Sequence, residues 1–131
     1  MIKAAHYFSN AWPKTFWQEF ELATIDRFKE LGFSAENTSL SNDGGIDGVL
    51  YIDRKKILIQ CKKYTGKVGT PYVRNLIGAM KVEHVNRALI ITTGSGYSEP
   101  AIELGQNNNI ILLDLVQFLA MKKEEFIEAL N

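Results

Sequence analysis

Apolar positions follow a helical period at the start of the chain and a strand period soon after. Over residues 15–31, TFWQEFELATIDRFKEL, the side chains Phe16, Trp17, Phe20, Ala23, Thr24, Phe28 and Leu31 fall on one arc at about 100° per residue. Gly32 follows, as suits a helix end. FSAENTSL (33–40) alternates as a short strand, and SNDGG (41–45) reads as a turn or loop. VLYI (49–52) and ILIQC (57–61) read as two strands joined through Asp53, Arg54, Lys55 and Lys56. Thr70 and Pro71 predict a helix start, with Thr as N-cap and Pro at the first helical position. Val73, Leu76, Ile77 and Met80 give that helix an apolar stripe to about residue 84. RALIITT (87–93) is a continuous apolar strand of the kind buried on both faces. Ser98 is placed to cap a helix over 99–106, IILLD (110–114) is a further strand, and 115–130 is mostly helical in pattern. The order αβββαβαβα, an antiparallel meander followed by βαβ crossovers, predicts an α/β fold with a mixed central sheet flanked by helices on both faces.

Composition narrows the picture. At 131 residues and 46% apolar content the chain is expected to form one domain with a real core. Its expected divisions are an N-terminal extension (1–14), a core (15–119) and a C-terminal helix (120–131). The apolar runs are strand-sized and the first residues lack the apolar stretch of a signal peptide, so no membrane association and a cytoplasmic location are expected. The lone cysteine, Cys61, excludes an internal disulfide and a Cys-based zinc site. Net charge is zero, with 15 basic and 15 acidic residues, but the distribution is uneven. No acid lies between Asp53 and Glu83, an interval holding Arg54, Lys55, Lys56, Lys62, Lys63, Lys67, Arg74 and Lys81. Glu99, Glu103, Asp114, Glu124, Glu125 and Glu128 follow in the tail. A neutral chain so divided can still offer one face to a polyanion.

The hairpin carries the candidate chemistry. With 53–56 as the turn, Ile52 faces Ile57, Val49 faces Gln60 and Asp47 faces Lys62. Side chains repeat every two residues, so Asp47, Val49, Gln60 and Lys62 share one side of the sheet, while Ile57, Ile59 and Cys61 point to the other. On the first helix Glu21 borders the apolar arc and can be aimed at the hairpin's polar end; Glu19, Asp26 and Glu30 lie farther round, toward solvent. Two carboxylates and an amide oxygen suit a hard divalent cation such as Mg²⁺. An adjacent ammonium can hold a water or neutralise a phosphoryl oxygen. The structural alternative is a cross-strand Asp47–Lys62 ion pair with Gln60 as a hydrogen-bonding neighbour, although surface pairs of this kind stabilise little. The glycines around Asp47, Gly48 among them, suit either close approach of a ligand or a plain turn.

Asp47, twelve intervening residues and then Gln60-Cys61-Lys62 resemble the D…(E/Q)-x-K signature of the PD-(D/E)xK nuclease superfamily. The set FE (20–21), LGF (31–33), DGGIDG (43–48), IQCKKY (59–64), VRNLIGA (73–79), ALIITTG (88–94) and NIILLD (109–114) more narrowly resembles the Mrr-type restriction endonuclease domain. The resemblance implies a Mg²⁺-dependent DNA endonuclease (Mn²⁺ a substitute) that hydrolyses phosphodiesters through an activated water. It places Asp47 as central metal ligand, Gln60 where most of the superfamily has an acid, Lys62 as catalytic lysine and Glu21 as auxiliary carboxylate. Asp43 is a weaker substitute. The glutamine removes one negative charge from the metal site, so metal affinity leans on Glu21.

Lys63, Lys67 and Arg74 are candidate phosphate contacts, whereas Arg54, Lys55 and Lys56 read as an exposed turn. Tyr64 and Tyr72 suit stacking or packing equally. His6 and His84 read as structural histidines, Cys61 as a small core residue, and Trp12 and Trp17 as packing anchors. TTGSG (92–96) lacks the Gly-Lys-Ser/Thr of a P-loop. A structure-specific nuclease resembling Holliday-junction resolvases, and a non-catalytic DNA-binding module of the same fold, are the alternatives. The expected partners are DNA, a second copy of the chain, since cutting both strands needs two sites, and a separate recognition or helicase protein.

Overall fold

The computed structural model describes residues 16–38 and 46–131, with side chains in the first helix from residue 19 onward. The N-terminal extension with His6 and Trp12, the side chains of Phe16 and Trp17, and the loop that holds Asp43 lie outside the described residues.

The elements run α1 (Phe16–Glu30), β1 (Ser34–Asn37), β2 (Gly48–Ile52), β3 (Lys55–Lys62), β4 (Lys67–Val68), α2 (Thr70–Glu83), β5 (Arg87–Thr92), β6 (Gly96–Tyr97), α3 (Glu99–Asn107), β7 (Ile110–Asp114), α4 (Leu115–Ala120) and α5 (Lys123–Leu130). The main sheet has the order β1-β2-β3-β5-β7. β1, β2 and β3 pair antiparallel; β5 and β7 join parallel through the α2 and α3 crossovers. This is the mixed α/β sheet that the apolar pattern predicts.

Both faces are covered. Odd-numbered β3 residues Ile57, Ile59 and Cys61, with Leu50 and Ile52 of β2, face a core built with α1, α4 and α5. There Phe28 makes edge-on contacts with Phe33, Phe118 and Phe126 at centroid distances of 6.1, 5.4 and 5.1 Å. Val49 and Leu58 face the opposite core with Val73, Leu76 and Met80 of α2 and Ala101 of α3. α1 is embedded over a wider arc than its sequence suggests. Ile25, outside the predicted stripe, is 3% exposed, and Glu19, Asp26 and Glu30 are half-buried rather than solvated. The cause is that α1 packs along β1 and β2 as well as over β3: a Cβ on Gly48 would run into Ile25 and the Glu36 carbonyl. Gly48 therefore serves the packing of α1 and β1 against β2.

Other details depart from expectation. The hairpin turn is the two residues Asp53 and Arg54, both left-handed at φ 49° and 69°, and the strands extend into Lys55 and Lys56. Two-residue loops with positive φ match the strand twist better than longer ones. The register consequently shifts by two: Val49 pairs with Leu58, not Gln60, and continuing it sets Asp47 opposite Gln60, not Lys62. An even slip leaves every side chain on its predicted face. The N-cap of α2 is Gly69, with Thr70 already helical. Ser98 does cap α3, its hydroxyl accepting from the Ala101 amide at 3.2 Å. The C-terminal helical stretch is two helices, split by extended backbone at Met121 and Lys122. Asp114 and Gln117 form a capping box that starts α4. β4 and β6 form a small parallel ribbon that two-residue strands cannot announce in sequence.

Candidate active site

Asp47 sits one residue ahead of β2 and is clamped by backbone. Its amide donates to the Ile59 carbonyl at 2.8 Å and its carbonyl accepts from Thr38 at 3.1 Å. Its carboxylate accepts the Cys61 amide at 2.6 Å. The side chain is thereby fixed at the C-terminal half of β3, beside Gln60 and Lys62 in sequence. Burial, and then the neighbouring Glu21 carboxylate within hydrogen-bonding reach, push the Asp47 carboxyl up to about 7; the Cys61 amide and Lys62 oppose this. Glu21 thus reaches the hairpin's polar end from α1.

Gln60 is 6% exposed, and its side-chain carbonyl is buried with no hydrogen-bond partner among the described residues. A buried amide oxygen without a donor costs about 1–3 kcal/mol, so an acceptor kept in this place is open to a ligand. Among the described residues no three His, Cys, Asp or Glu side chains gather around one point. The two carboxylates that stand together here are Asp47 and Glu21.

Lys62 does not ion-pair directly with Asp47. Its ammonium lies 3.9 Å from the ring centroid of Tyr72 and 5.9 Å from that of Tyr64, and the two rings meet edge-on at 6.0 Å. The cross-strand ion-pair alternative is therefore not what forms. Thr93 braces this end of β3: its amide donates to the Lys62 carbonyl at 3.1 Å and its hydroxyl accepts from the Tyr64 amide at 3.1 Å. Gly94 lies so close to the Gly66 carbonyl that no Cβ fits, which explains the glycine in TTGSG. Cys61 faces the other way, into the α1 core, where its thiol donates to Thr24 at 3.5 Å. Burial, and secondarily Asp47, push that thiol well up, so it is an inert packing group.

Lys67 and Arg74 are exposed and Lys63 half-buried. Lys56, placed in an exposed turn by sequence, belongs to β3 and pairs with Glu83 at 2.9 Å. His84 ends α2 in the left-handed conformation. What sequence inspection left undecided was Tyr64 and Tyr72; their role depends on α2 lying across the end of β3, which no local pattern reveals. One surface depression of about 470 Å³, lined by Met80, His84, Asn86 and Asn109 among others, lies toward the opposite ends of the strands, and another of about 490 Å³ lies along β7, lined by Tyr97, Leu112 and Asp114 among others. The polar cluster is instead an open edge at the C-terminal end of β3, where open α/β sheets bind ligands.

A mixed five-stranded sheet presenting an acid ahead of β2 and Gln-x-Lys on β3 defines a restriction-endonuclease-like domain. Residues 14–122 match the family model of a restriction endonuclease, Mrr_cat, and the chain belongs to that family. It is 31% identical, over a 104-residue alignment covering 72% of this chain, to the type IV methyl-directed restriction enzyme EcoKMrr of Escherichia coli strain K12. The alignment covers 34% of that enzyme, so the chain spans about a third of its length. Two solved structures share the fold. The DNA modification-dependent restriction endonuclease AspBHI superposes with a TM-score of 0.59 at 20% identity, over 88% of this chain and 32% of that one. The MspJI restriction endonuclease in complex with a 27-mer oligonucleotide gives 0.57 at 19% identity, over 89% and 28%.

Proposed function

We propose that this chain is a divalent-metal-dependent DNA endonuclease domain in which Asp47, Gln60 and Glu21 hold Mg²⁺ (or Mn²⁺) and Lys62 meets the phosphate. The observation that carries this is the buried carbonyl of Gln60, unpartnered among the described residues, one position before the Cys61 amide that holds Asp47, together with the Asp47 and Glu21 carboxylates whose mutual repulsion a cation would relieve. When bound, such an ion lowers the pKa of a water and polarises a phosphoryl oxygen. The chain's own residues do the rest. The Cys61 amide holds the Asp47 carboxylate in one orientation. Glu21 supplies the second charge that Gln60 lacks. Lys62 brings an ammonium that is not consumed by an ion pair with Asp47, so its donors can meet a non-bridging oxygen. Lys63, Lys67 and Arg74 supply cations for flanking phosphates.

Among the described residues no helix is long and apolar enough to cross a membrane. DNA is the proposed substrate, and concerted double-strand cutting requires two copies of the chain. The test is supercoiled plasmid incubated with and without Mg²⁺. Wild type should nick or linearise it only with metal; direct conversion to linear product marks paired sites. Lys62→Ala should abolish cutting while DNA binding stays largely intact. Undiminished cutting by that variant removes the role given to Lys62, and wild type that binds DNA without ever cutting it leaves a non-catalytic module.

A further inference from the structure

We propose that Tyr72, steadied by Tyr64, is a positioning residue for Lys62: its ring face seats the ammonium beside the carboxylate pair and keeps it out of a direct ion pair with them. This rests on the nuclease function proposed above.

A lysine at the end of a strand has four rotatable side-chain bonds, and with Asp47 and Glu21 nearby its default resting place is a salt bridge. That would neutralise the carboxylates needed for metal and occupy the N–H donors needed for phosphate. The structure shows a different arrangement. The ammonium rests 3.9 Å from the Tyr72 centroid, where attraction comes from the ring's electron-rich face and takes no carboxylate oxygen. Tyr72 is on the first turns of α2, and Val73 beside it is fully buried against the sheet. Tyr64 packs edge-on against Tyr72, and its own backbone is held on both sides by the Thr93 hydroxyl, which accepts from its amide at 3.1 Å and donates to its carbonyl at 3.3 Å. Restraint therefore runs from the end of β5 through Tyr64 and Tyr72 to Lys62. A rival use of Tyr72, stacking on a nucleic-acid base, would have to use the opposite ring face, since the ammonium covers this one.

Three variants of the full chain test this: Tyr72→Leu, which keeps bulk and loses the aromatic face; Tyr72→Phe, which keeps the face and loses the hydroxyl; and Lys62→Ala. The first readout needs neither metal nor DNA. The ε-methylene protons of Lys62 should show an upfield ring-current shift by NMR in wild type and Tyr72→Phe, lost in Tyr72→Leu. The second is single-turnover cleavage beside DNA affinity. Tyr72→Leu should cut roughly 3- to 30-fold more slowly, the range a cation–π contact spans, with affinity within about twofold of wild type, and Tyr72→Phe should restore the rate. An unshifted Lys62 in wild type overturns the seat. So does Tyr72→Leu cutting at the wild-type rate, or losing activity only through affinity, or a Phe variant that fails to rescue. Wild type that cannot cut defeats the nuclease function, and the NMR shift tells that failure apart from failure of the seat.

Discussion

The Asp47 carboxylate accepts a short bond from the Cys61 amide, yet it is largely stripped of water and stands against Glu21. The folded chain holds this carboxyl at about 7, well above its ordinary 3.8, so ionisation favours the unfolded chain. At pH 8, above both values, the charge is a net cost of folding. Asp47→Asn keeps an oxygen for the Cys61 amide and removes the charge. In chelator at pH 8 it should raise stability by about 1 kcal/mol, a few degrees of thermal midpoint, while plasmid cutting disappears. A lowered midpoint would mean that the Cys61 bond outweighs burial and repulsion. Opposite effects on stability and activity would support the proposed cation site. The sequence proposed Asp47, Gln60, Lys62 and Glu21 as a set; it could not show that Lys62 rests on an aromatic ring, because Tyr72 arrives from another element.

At the level of elements, strand faces were legible and strand register was not. Alternation in ILIQC states which residues share a face, but a slip of two preserves that alternation, so the pattern cannot choose between a four-residue and a two-residue turn. The chain adopts the short turn even with Asp53 and Arg54 at φ 49° and 69°. Left-handed backbone costs a residue with a Cβ on the order of 1–2 kcal/mol, less for Asp. The double replacement Asp53→Asn, Arg54→Gly should therefore stabilise the domain by about 1 kcal/mol in a denaturant titration, without altering the cleavage rate. No gain would indicate that the Arg54 side chain makes a compensating contact. Gly48 shows the same limit of local reading: it is crowded by Ile25 and the Glu36 carbonyl, both distant in sequence.

For the molecule as a whole, zero net charge hides an uneven division of acids and bases along the chain. β3, the segment after it and α2 carry the acid-free interval; Lys67 and Arg74 are exposed, while Lys56 is occupied by Glu83. Counterion release makes DNA affinity fall as salt rises, with a log–log slope near −0.9 per phosphate neutralised. Arg74→Ala should make that slope shallower by about 1 and weaken binding evenly across sequences, as filter-binding over a salt series would show. Lys55→Ala, at the N-terminal end of β3, should leave the slope unaltered. Equal slopes for Arg74→Ala and wild type would place the DNA on another face.

Sequence alone determined the class of fold, the side of the sheet on which each strand residue lies, and the chemical types gathered at its polar end. Each of these follows from a period or an ordered motif within a short stretch of chain. Tertiary structure decided the hairpin register, the crowding at Gly48, the carbonyl of Gln60 without a partner among the described residues, the displaced carboxyl of Asp47 and the tyrosine beneath Lys62. Those depend on helices laid over the sheet from dozens of residues away, and burial and through-space charge have no local signature.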